Sequence, residues 1–66
     1  MNALEIAQEA VGSTEAAAPF VSAETRELMA FGKVATIIER LDASDYQRAY
    51  RLGEALREVR NLLSSN

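Results

Sequence analysis

A chain of 66 residues with neither cysteine nor histidine can hold only one small core, unaided by disulfides or a zinc site. Its net charge is −3. The excess lies in residues 1–21, where Glu5, Glu9 and Glu15 stand without a base, while the bases of 22–66 are matched by acids. That pattern argues against a polyanion binder working by bulk charge.

The first predicted element is a short helix over about Ala3–Val11. Asn2 can cap it, with Glu5 three residues on to reach back to the cap amide, and Gly12 is placed to close it in the left-handed conformation. Leu4, Ala7 and Val11 share one face, with Ile6 at its edge. So short a helix is unstable alone and must dock or fray. The stretch "GSTEAAAPF" reads as a linker, because Pro19 biases Ala18 away from the helical region. Phe20 and Val21 precede Ser22, a good cap, and are placed to staple the next helix entry. The domain reading is therefore a short acidic helix over 1–12, a linker over 13–21 and a helical hairpin over 22–66.

The second helix is expected from Ala23 to Leu41. Leu28, Phe31, Ala35 and Ile38 recur at three-then-four spacing, with Val34 and Leu41 widening the stripe. Arg26, Lys33 and Arg40 form a solvated stripe opposite. Met29 and Ile37 lie off the main sector, and Ile37 broadens it enough to imply a second contact. Around "DASDYQ" the pattern breaks. Ser44 with Gln47 makes a capping box, Asp42 being the alternative cap. A connection this short folds the two long helices back antiparallel. In the third helix Ala49, Leu52, Leu56, Val59 and Leu63 make a continuous seam, flanked by Ala55 and Leu62. The fold class expected is thus all-α. A marginal core then implies self-association, with hairpins pairing as a homodimeric four-helix arrangement. The core or dimer seam would comprise Leu28, Phe31, Ile38, Leu52, Leu56, Val59 and Leu63.

Catalysis is not expected. With no His or Cys, general acid–base and nucleophilic chemistry fall to carboxylates, hydroxyls and the single lysine, Lys33. Glu54 and Glu58 sit one turn apart, among Arg51, Arg57 and Gln47, which reads as helix-surface pairing. The three glycines are scattered and form no phosphate loop. No catalytic, cofactor-binding or metal-binding residue is assigned, and no cofactor is expected.

A nucleic-acid-reading helix needs its bases on one face. At about 100° per residue, Arg48 and Arg51 point to one side of the third helix and Arg57 and Arg60 nearly to the other. A ribbon-helix-helix dimer would further need a polar strand where "AAAPFVS" stands. Binding to nucleic acid is therefore disfavoured. The same wheel aligns Tyr46, Tyr50, Gly53 and Arg57 in one narrow line. Tyrosine and arginine are enriched where proteins bind one another. Gly53 in mid-helix costs about 1 kcal/mol against alanine, which close approach of another backbone or side chain, from a second hairpin or the N-terminal segment, would offset. Gly32 and Gly53 are expected at about one level on the two helices. The competing account has Tyr46 and Tyr50 merely covering Ile38 and Ala35.

The function expected is non-catalytic protein–protein interaction, as a small regulator or inhibitor of a protein partner. The alternatives are a small dimeric DNA-associated transcription factor or a structural assembly subunit. In size, acidity and lack of catalytic groups the chain resembles small host-modulating proteins of bacteriophages and mobile elements, a likeness of kind carried by no motif. An N-terminus with no base ahead of its apolar positions, and no apolar run near the ~20 residues of a membrane span, lead to an expectation of cytoplasmic location without membrane association.

Overall fold

The computed structural model of the chain describes residues 1–65. Three α-helices are present: α1 (Ala3–Gly12), α2 (Ala23–Glu39) and α3 (Asp45–Ser64). A 3-10 turn over Glu15–Ala17 lies between α1 and α2, and there is no strand among the described residues.

The helix starts follow the capping chemistry legible in the sequence. The Asn2 side chain accepts from the Glu5 amide at 2.9 Å, and the Glu5 carboxylate accepts from the Asn2 amide at 3.1 Å. Ser44 and Gln47 repeat that reciprocal arrangement ahead of α3, each bond 3.1 Å long. At α2 the Ser22 hydroxyl accepts from the Thr25 amide at 3.1 Å. Each cap satisfies a donor that the first turn leaves without a partner, worth typically about 1 kcal/mol.

The end of α1 departs from expectation. No glycine has a positive φ, so Gly12 does not close the helix in the left-handed region. Hydroxyls do the work instead. The amide and side chain of Ser13 both donate to the Glu9 carbonyl at 3.0 Å. Thr14 Oγ1 donates to the Val11 carbonyl at 2.9 Å. With the last carbonyls satisfied, the chain continues right-handed into consecutive turns.

Residues 13–21 accordingly form an ordered connection. Ala18 is in the right-handed helical region (φ −50°, ψ −42°) despite Pro19 after it. The steric bias before proline is outweighed by local hydrogen bonding. The amides of Phe20 and Val21 both donate to the Ala17 carbonyl, at 2.9 and 3.2 Å. The expected staple by Phe20 does not form, its ring being 84% exposed, while Val21 is half-buried.

α1 docks on both other helices, and the three elements share one core. Ile6, Ala7 and Ala10 come from α1, Ala30, Val34, Ile37 and Ile38 from α2, and Ala55 and Val59 from α3. Alanines at these positions let backbones approach closely, so the three helices enclose a small apolar centre. Docking also turns the faces away from those expected. In α1, Ile6 is fully buried and Leu4 exposed. In α2, Leu28 is 67% exposed and Ala35 is exposed, while Ile37, expected off the main sector, is buried. The buried stripe of α2 is rotated by roughly a quarter turn, because it must serve α1 as well as α3. The same rotation draws Arg26, expected in solvent, toward the buried side, and its Nε is buried. On α3, Leu52, Leu56 and Leu63 are half-buried around the core and Ala49 is exposed. Of the expected seam, Ile38 and Val59 are core, Phe31, Leu52, Leu56 and Leu63 border it, and Leu28 lies outside.

Candidate functional site

Rotation of the core fixes what α3 turns outward. Ala55 and Val59 point inward, and Tyr46, Tyr50, Gly53 and Arg57 project nearly opposite them on the wheel. All four are exposed, Tyr46 by 81% and Tyr50 by 61%. The tyrosines therefore do not cover Ile38 or Ala35, and that packing account is corrected. A Cβ added to Gly53 would meet nothing within 4 Å, and the same holds for Gly32. The protomer gives neither glycine a steric reason.

The two tyrosines also edge a shallow cavity of about 320 Å³ that includes residues from the other end of the chain. It is lined by Asn2, Ala3, Tyr46, Gln47, Tyr50, Arg51 and Glu54. Arg51 Nη1 donates to the Met1 carbonyl at 2.7 Å across fifty positions of sequence. Sequence reasoning missed the contribution of Asn2 and Ala3, since no local signal reports that pairing. It also assigned Arg51 to Glu54 and Glu58. Among the described residues the ion pairs are Arg48–Asp45 and Arg60–Glu27, so that pairing is not made.

The arginines of α3 have separate local tasks. Arg48 Nη1 donates to the Ala43 carbonyl at 2.6 Å and to the Leu41 carbonyl at 3.4 Å, and its guanidinium pairs with Asp45. It thereby ties the connection between α2 and α3 to the first turns of α3. Arg60 Nε meets Glu27 at 2.9 Å, joining the last turns of α3 to the start of α2. Arg57 has no ion-pair partner among the described residues. Three of the four arginines of α3, Arg48, Arg51 and Arg60, are thus bonded within the protomer.

On the other flank of α3, two adjoining depressions share Phe31 and Arg60. One, of about 330 Å³, is lined by Phe31, Leu56, Arg57 and Arg60. The other, of about 340 Å³, adds Glu24, Glu27 and Leu28. Both are open and apolar-floored, with charge at the rim.

No group of three or more His, Cys, Asp or Glu among the described residues could hold a metal ion. No described helix is long and apolar enough to cross a membrane. Comparison with protein-family models, with curated proteins and with solved structures finds no match to this chain.

Proposed function

We propose that this protein is a non-catalytic protein–protein interaction module, a small regulator or inhibitor that occludes or bridges a protein partner with a helix face. Tyr46, Tyr50, Gly53 and Arg57 are the contact line, and α2 and α3 act as an antiparallel hairpin that pairs with a second copy in a four-helix arrangement. One observation carries the reading: two large aromatic side chains and an unpaired arginine stand outward on a rigid helix that does not need them for its own packing. Rigid aromatic and arginine side chains give contact area and directed hydrogen bonds at low entropic cost. A target in the host of a phage or mobile element suits the size and acidity of the chain.

The test is capture of partners from host lysate by the intact chain and by the Tyr50→Ala and Arg57→Ala variants. Both variants are expected to fold normally and to lose a partner that the parent retains. Retention of every partner by both would refute the contact line. Salt-dependent association with any DNA duplex would redirect the reading to a DNA-associated factor.

A further inference from the structure

We propose that the cavity between the starts of α1 and α3 takes a carboxylate of the protein partner, an aspartate or glutamate side chain seated beside Tyr46 and Tyr50 on the guanidinium of Arg51. The inference rests on the contact line proposed above and states what the partner presents to its tyrosine end.

The two capping boxes decide what the cavity offers. The Asn2 side-chain oxygen accepts from the Glu5 amide, and the Gln47 side-chain oxygen accepts from the Ser44 amide. A side-chain amide carries one acceptor oxygen and one NH2 group. With both oxygens engaged in capping, Asn2 Nδ2 and Gln47 Nε2 remain, and neither donates to another group among the described residues. Both residues are exposed and both line the cavity. Caps that serve the fold thus leave two donor groups at one place.

Arg51 adds the charge. Its Nη1 donates to the Met1 carbonyl at 2.7 Å, which holds the half-buried side chain at the cavity wall without answering its charge. The ion pairs among the described residues are Arg48–Asp45 and Arg60–Glu27. A guanidinium has five N–H donors, so most of the fork is uncommitted. The first-turn acids are already engaged, Glu5 with the Asn2 amide and Asp45 with Arg48. Because α1 and α3 begin side by side here, the positive ends of both helices act in the same sense as the arginine.

Glu54 is the one acid of the lining. It follows Gln47 by seven residues, about 10 Å along the helix, and makes no ion pair with Arg51. It therefore borders the far end of the cavity and confines an incoming carboxylate to the Gln47 end. Tyr46 and Tyr50, one turn apart, bring hydroxyl donors and flat apolar surface for the methylenes of the same side chain. A neutral amide would meet the same donors but leave the arginine unanswered, whereas a carboxylate takes a charge-assisted, two-pronged bond from it.

The test titrates the intact, isotope-labelled chain with the blocked tripeptide Ala-Glu-Ala, its glutamine counterpart and inorganic phosphate, followed by nuclear magnetic resonance. The glutamate peptide is expected to move the Arg51 Nε–H and the side-chain NH2 signals of Asn2 and Gln47, saturating in the millimolar range. The glutamine peptide should bind at least about fivefold more weakly, and phosphate no more tightly than the glutamate peptide. Glu54→Gln should tighten the glutamate peptide severalfold, and Arg51→Gln, with helix content checked by circular dichroism, should abolish its effect. Equal response to the two peptides, tighter binding of phosphate, or no gain in Glu54→Gln overturns the carboxylate assignment. If Tyr50→Ala still loses a captured partner in that case, the contact line stands without it.

Discussion

Replacing Gly53 by alanine separates the needs of the protomer from those of its contacts. Gly53 is exposed within α3, and a Cβ built there meets nothing within 4 Å. Its φ is not positive, so alanine fits the existing backbone without strain. Glycine in a helix interior costs about 0.8–1.0 kcal/mol relative to alanine, largely through the freedom it retains when unfolded. At concentrations too low for association, Gly53→Ala should therefore stabilise the protein by close to that amount. For a domain this small the change corresponds to a rise in Tm of about 4–8 °C. Thermal unfolding followed by circular dichroism, with urea titration as a check on a constant m-value, measures it. Gly32→Ala is the companion test: it has equal room and should stabilise the protein by a similar amount. Destabilisation of the dilute protomer by Gly53→Ala would refute the reasoning, since it would reveal a close neighbour inside the protomer.

Ile6→Ala should cost about 2–5 kcal/mol, because Ile6 is fully buried and is the largest side chain that α1 puts into the core. Lost helical circular dichroism and a lowered urea midpoint would show it, and an unchanged midpoint would mean that α1 does not stay docked. Ser44→Ala removes the acceptor for the Gln47 amide and should cost about 1 kcal/mol, read by the same titration; no change would mean that Asp42 takes over the cap. Tyr50→Ser, at an exposed site, should alter stability by no more than about 0.5 kcal/mol, so any loss of partner capture by that variant reports contact rather than unfolding.

Local chemistry was legible and long-range placement was not. Asn2, Ser22 and Ser44 announced their helices because a cap involves residues three apart, and all three act as read. The alignment of Tyr46, Tyr50, Gly53 and Arg57 was legible too, since helical spacing alone gives it, whereas its outward direction depends on which arc of α3 the core takes. Which arc of α2 would be buried was not. Leu28 and Ile37 are both apolar and stand on opposite edges of one broad sector, so periodicity cannot choose between them. The choice is made by α1, whose docking depends on fit among Ile6, Ala7, Ala10 and the alanines facing them. The carbonyl of Met1, as partner for Arg51, was invisible for the same reason.

That ambiguity carries its own physical content. On the wheel the apolar positions of α2 run from Ile37 through Val34 and Ile38 to Phe31 and Leu28, roughly half the circumference. A two-helix hairpin needs only a narrower stripe. Within the protomer α1 takes the Ile37 edge and α3 the middle, which leaves Leu28 and Ala35 bare beside a half-buried Phe31. Single exposed apolar residues are common on monomers and carry little weight. Here the bare edge adjoins a groove lined by Phe31 and Leu56. The breadth of the α2 stripe is thus accounted for within the protomer as far as Phe31, and the proposed pairing with a second copy would have to account for Leu28 and Ala35.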